Sequence, residues 1–327
     1  MQSPLVITHP ASYLHHPPGH PERSERIAAI EAAFKANPAL RDLDLLELEL
    51  PADTPVPGAR ATREALLEVH DQLLVDHLFK AGQEAEVSGV GNWLDGDTFI
   101  GPGSLDAACA AVLSACEAAR RACAGDPVTT FSFCRPPGHH ATRSQAMGFC
   151  LFNNVAAAAQ AALDSGLERV AIVDFDVHHG NGTQDIFYER GDVLYISTHQ
   201  WPLYPGTGGA EDQGRGDGRG FTLNLPLPAG YGDDDYARIF DQAVLPALDR
   251  YQPELLLVSA GYDAHQDDPL AGMEVSTAGF GLLAARLLER ADRLCGGRSA
   301  WILEGGYDVD ALGAAAAATV RQAIRGA

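Results

Sequence analysis

Two carboxylates and two imidazoles crowd the end of one apolar segment. RVAIV runs directly into Asp174, Asp176, His178 and His179, followed by Gly180, Asn181 and Gly182. Side chains of an extended chain alternate with a period of two, so Asp174, Asp176 and His178 point to one side, and Asp176 and His178 can converge on one point. A second apolar segment, LLLVSAG, breaks into Tyr262, Asp263, Ala264 and His265. If the two segments are neighbours, Asp176, His178 and Asp263 form a site of two carboxylates and one imidazole, with the open coordination position that a catalytic zinc requires. VTTFSF leads into Arg135, Pro136, Pro137, Gly138, His139 and His140. A buried carboxylate such as Asp174 could hold one of these rings in a fixed tautomer, as an oriented base. WILEGGYD ends in two glycines and Tyr307, a phenol on a turn that could swing over an oxyanion. Any one such cluster is more often a turn or a helix cap. Together the four supply a metal ligand set, a base, an orienter and an oxyanion donor.

These clusters need a frame that sets them along one edge. LVITH, DLLELEL, VTTFSF, RVAIVDFDV, VLYISTH, FTLNLPL, LLLVSAG and SAWILEGG read as about eight strands. Several are apolar throughout, as strands buried on both faces of a parallel sheet are. Between them lie helical patterns, among them SLDAACAAVLSACEAARRACA, NNVAAAAQAALDSG, DDDYARIFDQAVLPALDRY and STAGFGLLAARLLERADRL. The alternation predicts an α/β fold around a mostly parallel sheet, where ligands bind at the carboxyl ends of the strands. The glycine-rich stretch 206–220 reads as a long surface loop, because it lacks the Lys-Ser/Thr ending of a phosphate-cradling loop.

A chain of 327 residues with 46% hydrophobic content can bury one large core, and a single domain over 1–327 is expected. The formal net charge of −21, with Lys35 and Lys80 as the only lysines, argues against direct contact with a nucleic-acid backbone. The acidity either steers cationic substrates toward a cleft or serves solubility alone. The opening MQSPLVITHPASYLHHPPGH has no signal-peptide pattern, and the longest apolar runs fall short of the roughly 20 residues of a membrane span. A cytoplasmic protein with no membrane contact is therefore expected. Cys109, Cys116 and Cys123 recur every seven residues along one helical stripe, without C-x-x-C spacing. They read as small buried hydrophobes in a reducing compartment.

The same residues resemble the histone deacetylase superfamily. The resemblance is carried by HPPGHPERSERI near the start, RPPGHHA (135–141), GFCLFNNVA (148–156), DFDVHHGNGTQ (174–184), YPGTG (204–208), AGYDAHQDDPLAGM (260–273) and LEGGYD (303–308). HPERSERI, the asparagine of HHGNGTQ and LEGGY look most like the class II branch and its bacterial relatives, histone deacetylase-like amidohydrolases and acetylpolyamine amidohydrolases. The resemblance implies a three-layer α/β/α arginase-deacetylase fold with a central eight-stranded, mostly parallel sheet. It implies one zinc on Asp176, His178 and Asp263, His139 oriented by Asp174, and Asn181 beside His140 where other branches carry a second aspartate. A neutral neighbour makes His140 less basic. Tyr307 matches the tyrosine that hydrogen-bonds the reacting carbonyl, and His140 would draw a proton from the attacking water. Gly148, Phe149 and Tyr204 would line a narrow acyl tunnel with Leu270 at its rim, Tyr204 standing where the family usually has phenylalanine. Structural potassium is implied on Asp174, Asp176, His178, Ser197 and Thr198. Asp267 and His265 read as loop or capping residues.

Hydrolysis of an N-acetyl amide, on acetyl-lysine of a peptide or protein or on a small acetylated amine, is the leading expectation. Acetylpolyamine deacetylation is its nearest rival, favoured by the acidic charge and disfavoured by apolar Leu270. A binuclear manganese ureohydrolase would need more carboxylate ligands than Asp176 and Asp263 supply. A catalytically inactive acyl-ligand-binding module is the alternative from another class. The oxygen and nitrogen ligand set accepts Fe²⁺ as well as Zn²⁺. Acyl length and homo-oligomerisation are left open.

Overall fold

Each of the eight predicted segments becomes a strand of one sheet. The computed structural model describes residues 3–43, 45–50, 58–125 and 128–324. In chain order the strands are β1 (Leu5–Thr8), β2 (Leu45–Glu47), the short β3 (Asn92–Trp93) and β4 (Phe99–Ile100), β5 (Thr129–Ser132), β6 (Val170–Asp174), β7 (Val193–Gln200), β8 (Thr222–Leu227), β9 (Leu255–Ala260) and β10 (Ser299–Leu303). The large sheet runs β2-β1-β5-β10-β9-β6-β7-β8. Every neighbouring pair in it is parallel. Of the expected strand DLLELEL, Asp44 lies outside the described residues, and only Leu45–Glu47 pairs with β1.

Strand alternation feeds two separate cores. Ala171, Val173, Leu256, Val258, Trp301 and Leu303 face one layer of helices, which includes Glu25–Ala36, Thr277–Cys295 and Val309–Ala323. Val170, Ile172, Leu255, Leu257, Ala300 and Ile302 face the other, which includes Gln72–Ser88, Ser104–Ala124 and Asn154–Asp164. Strands buried on both faces need no polar side, which is why the segments read as continuous apolar runs. Cys109 and Cys116 are buried in the second core as free thiols, with Cys123 partly buried. Among the described residues no helix is long and apolar enough to cross a membrane.

Two local features differ from the sequence expectation. The single helix expected at 233–251 is two α-helical segments, Asp233–Ile239 and Leu245–Tyr251, joined by a π-helical turn at Phe240–Val244. Pro246 supplies no N–H to the ladder and its ring crowds the preceding turn, so the helix widens there. The β3–β4 hairpin, not anticipated, is made by Asp95, whose carboxylate accepts the backbone N–H groups of Asp97 (3.0 Å) and Thr98 (2.6 Å).

The strand order explains the location of chemistry. From β6 the chain continues through β7 and β8 toward one edge, whereas from β9 it moves to β10 in the opposite direction. A crevice opens at such a switch point, at the carboxyl ends of the two strands. The four segments carrying polar clusters are β5, β10, β9 and β6, four adjacent strands in the middle of the sheet.

A buried ion network ties the amino-terminal segment to this edge. Glu22, fully buried, receives Arg135 Nε at 2.6 Å and Arg26 NH1 at 3.2 Å, and a second Arg135 nitrogen on its other oxygen. Arg26 in turn donates to the carbonyls of Glu304 and, at 2.7 Å, Gly306. Burial would raise the Glu22 carboxyl, but Arg135 and the neighbouring cations outweigh it and hold it at about 2. Because the folded pKa lies below the unfolded one, the stabilisation is complete above the ordinary glutamate value and disappears as pH falls toward 2. Glu22→Gln leaves two buried guanidiniums short of a counter-charge and is expected to cost about 3–5 kcal/mol in urea unfolding at pH 7. That deficit should shrink as the pH of the titration is lowered from 5 to 3.

Candidate metal and acid-base centre

The strand register ends where the polar chemistry begins. β6 stops at Asp174, which pairs with Ser197 on β7 and Ser259 on β9. Beyond it the chain advances by carboxylate turns rather than by strand alternation: Asp174 Oδ1 accepts the Asp176 N–H at 3.2 Å, and Asp176 Oδ1 accepts the His178 N–H at 2.9 Å. The expected convergence of Asp176 and His178 is therefore achieved by turns, not by the period of a strand. Asp263 arrives from the end of β9, immediately beside β6.

Backbone N–H groups orient the two carboxylates, and one oxygen of each also faces a common point. Asp263 Oδ1 accepts the Val177 N–H at 2.8 Å and Asp176 Oδ2 accepts the Gly305 N–H at 2.7 Å. The remaining oxygens, Asp176 Oδ1 and Asp263 Oδ2, each lie 3.1 Å from His178 Nδ1. The potential ligand atoms of the three residues lie within 4.8 Å of one another. Gly305 permits this approach, since a Cβ there would sit 2.1 Å from Asp263 Oδ2. Burial and the charge of Asp176 push the Asp263 carboxyl up to about 7. Two carboxylates this close in a buried site call for positive charge between them. Three protein ligands of oxygen and nitrogen type, with one side open, fit a single divalent ion such as catalytic zinc.

The tandem histidines flank this point with unlike partners. His139 Nδ1 lies 3.0 Å from Asp174 Oδ2, an oxygen that also accepts the Tyr195 hydroxyl at 3.1 Å. His140 Nδ1 lies 2.8 Å from Asn181 Oδ1. Donation of that ring hydrogen to the amide oxygen leaves Nε2 as the basic nitrogen. Burial alone would lower both rings. At His139 the charges of Asp176 and Asp174 outweigh burial and hold the ring above the ordinary imidazole value. His140 stays well below it, because of burial and then the charges of His139 and His178.

Aromatic walls lead to this centre. Phe149 adopts a left-handed backbone conformation (φ 69°) beside Gly148 (φ 56°), and its N–H is held by Thr98 Oγ at 3.2 Å. Such strain in a bulky residue persists only where its surroundings hold it. Phe149 meets Tyr307 edge-on at 5.6 Å and His20 at 4.3 Å. Tyr204 meets His140 edge-on at 5.1 Å and remains 37% exposed, so its ring reaches from the centre to solvent. Tyr307 lies over the Arg26 guanidinium at 5.0 Å. Leu270 is partly buried, two residues beyond Asp268. Ser197 donates to or accepts from His199 Nδ1 at 2.9 Å, while the Thr198 hydroxyl is buried without a hydrogen-bond partner among the described residues. His265 bridges to Thr277 at 3.0 Å and its Nδ1 accepts the Asp267 N–H at 3.2 Å; both belong to the loop's own turn.

Several residues of this edge escape a reading of sequence motifs. Glu304, fully buried, accepts the N–H groups of Gly138 (2.6 Å) and His139 (3.1 Å) and so fastens the histidine loop to the end of β10. His70 grips the same loop through neutral chemistry: Nδ1 donates to the Thr142 carbonyl at 2.8 Å and Nε2 accepts the Asn153 N–H at 2.9 Å. His179 and His199 meet at a tilt with ring centroids 4.8 Å apart, and their outer nitrogens reach the Thr207 hydroxyl and the Gly208 carbonyl, securing the loop that bears Tyr204. Glu304, His70 and His199 are revealed by their backbone partners, whereas His179, already within the cluster at the end of β6, pairs with the side chains of Thr207 and Gln184.

Comparison with known proteins places this geometry. The family model for the histone deacetylase domain matches residues 20–323. Chloroplastic histone deacetylase 14 of Arabidopsis thaliana is 41% identical over 97% of this chain and 76% of its own length. A histone deacetylase-like amidohydrolase of Pseudomonas aeruginosa is 45% identical over 76% of this chain and 64% of its own. The crystal structure of an acetylpolyamine aminohydrolase from Burkholderia pseudomallei superposes with a TM-score of 0.83 at 34% identity, covering 97% of each chain. The eight-stranded parallel sheet between two helical layers is thus the α/β/α arginase-deacetylase fold.

The centre makes a direct prediction. Reconstituted protein should hold one divalent ion per chain by elemental analysis, and Asp263→Asn should hold at least tenfold less under the same dialysis, as expected on loss of a ligand. Equal metal content in the two proteins would remove the ligand assignment.

Proposed function

The chain belongs to the histone deacetylase family, which includes deacetylases and amidohydrolases, and from that premise we propose that it is a zinc-dependent deacetylase acting on a linear N-acetyl amide. The convergence of Asp176 Oδ1 and Asp263 Oδ2 on His178 Nδ1 carries the reading. Asp176, His178 and Asp263 would hold the ion, which when bound supplies Lewis acidity at the acyl carbonyl and acidifies water. Fe²⁺ suits the same donors. The unpartnered Thr198 hydroxyl and the buried Ser197 beside Asp174 support a structural potassium ion at the back of this strand edge. We take residues 1–327 as one catalytic domain working in the cytoplasm.

The roles of the chain's own groups follow from their partners. His140 presents Nε2 toward the centre because Asn181 occupies its Nδ1, so it is the group that takes a proton from water. His139, backed by the charged Asp174, is the better-supported imidazolium, and it stabilises negative charge that builds on the reacting oxygen and returns a proton to the departing amine. Tyr307 stands within reach of the charges of Asp263 and Asp176, and burial raises its hydroxyl well above the ordinary phenol value. It therefore remains a neutral donor to the acyl oxygen. Gly148, Phe149 and Tyr204 form a slot for an extended alkyl chain, with Leu270 at its mouth. Acetyl-lysine peptides and small acetylated amines both fit such a slot. The net charge of −21 favours a substrate whose free end is cationic, acetylpolyamines included.

Tyr307→Phe is expected to lower kcat on an acetyl-lysine peptide by about 10²–10³-fold, the effect of deleting one oxyanion donor, and stripping zinc should abolish turnover. Full activity after both changes would end this reading, whereas tight acyl-ligand binding by the zinc-loaded protein without product release would point to an acyl-ligand-binding module. Comparison of kcat/KM for acetyl-lysine peptide and acetylspermidine on the zinc-loaded protein assigns the preferred amine.

A further inference from the structure

Asp268 lies five residues past Asp263 in a loop whose other acidic residue, Asp267, faces solvent. Its side chain is 7% exposed and meets no cation within salt-bridge distance among the described residues. All of its partners are backbone N–H groups. Oδ2 accepts Tyr307 N–H at 2.7 Å and Asp308 N–H at 3.3 Å, while Oδ1 accepts Leu270 N–H at 3.0 Å. One carboxylate thus clasps the segment that carries the phenol and the residue at the mouth of the slot.

The phenol needs such a clasp. It follows Gly305 and Gly306, the latter at φ 119°, a conformation closed to other residues, so the segment has little stiffness of its own. Arg26 holds the Gly306 carbonyl from one side. Immediately after Tyr307, Asp308 caps the last helix by accepting the Ala311 N–H at 2.8 Å. The Tyr307 amide lies between these two anchors, and Asp268 is its partner. We propose that Asp268 is a positioning residue which, through the Tyr307 and Leu270 amides, sets the phenol in register with the mouth of the acyl slot; this rests on the role of Tyr307 proposed above. A charged acceptor serves here because ionised acceptors make shorter, stronger bonds to N–H donors than neutral ones. A misplacement of about 1 Å at a reacting group costs on the order of a hundredfold in rate.

The test is a double-mutant cycle on zinc-loaded protein with an acetyl-lysine peptide. Asp268→Asn offers a single acceptor oxygen and turns an amide toward N–H donors. It should lower kcat at least about tenfold with KM within about twofold and metal content unchanged at one per chain. Asp268→Glu keeps the charge but moves the oxygens by a methylene, and it should show a similar loss, which carries the test if the asparagine variant does not fold. In a Tyr307→Phe background both substitutions should lower kcat no further than about twofold, because the group being positioned is gone. Wild-type kcat in both Asp268 variants overturns the proposal. So does an undiminished loss in the Tyr307→Phe background, or loss of the metal, since either shows that Asp268 acts elsewhere. Full turnover in Tyr307→Phe alone is a separate result: it defeats the role of the phenol itself, and this inference with it.

Discussion

Asp176 Oδ1 and Asp263 Oδ2 face the same imidazole nitrogen, His178 Nδ1, from 3.1 Å each, and both carboxylates are fully buried. Two carboxylates in low-dielectric surroundings repel strongly unless positive charge lies between them, and the repulsion grows as water is excluded. The fold meets this condition by geometry before chemistry. Backbone N–H groups fix the carboxylates: Val177 holds Asp263 Oδ1, while Gly305 and His178 hold the two oxygens of Asp176. What remains is a fixed pair of lone pairs aimed inward. A divalent ion then neutralises the pair at no cost of rearrangement, which is the meaning of a preorganised site.

Around that pair, buried side chains act chiefly as clamps on main chain. Glu304 holds the amides of Gly138 and His139, Asp268 those of Tyr307, Asp308 and Leu270, and Arg26 the carbonyls of Glu304 and Gly306. Loops at strand ends have no hydrogen-bond ladder, so their amides must find partners from side chains or remain unsatisfied at a cost of about 1–3 kcal/mol each. Meeting that demand with buried ionised or ionisable groups gives stiff loops at the catalytic edge. It also binds the Glu22–Arg135–Arg26 network of the amino-terminal segment to the reacting groups, so stability and positioning share the same residues.

Much of this was legible from the residues alone, for a specific reason. Strands buried on both faces write themselves as unbroken apolar runs, and Asp, His and Gly clusters at their ends are rare enough to stand out, so β5, β6, β9 and β10 and the groups His139, His140, Asp174, Asp176, His178, Asp263 and Tyr307 could be picked out together. The order β5-β10-β9-β6 could not be read, because pairing between segments 43 to 170 residues apart leaves no local mark. The clamps were missed for another reason: a glutamate in LEGG or the second aspartate of QDDPL has no periodicity or spacing that announces a backbone partner. The segment holding Pro246 read as a single helix, because whether a proline kinks, ends or widens a helix depends on the packing around it.

The two histidines show how the same environment yields different chemistry. His139 and His140 are adjacent in sequence and their rings lie 4.1 Å apart. One is backed by the carboxylate of Asp174 and the other by the amide of Asn181. A carboxylate favours the imidazolium and an amide oxygen does not, so a proton shared between the rings resides by preference on His139. Its charge then disfavours a second proton on His140, which leaves that ring free to accept one from water. The neutral Asn181 thus adds to the difference between the two rings: a second carboxylate in its place would raise the basicity of His140 toward that of His139.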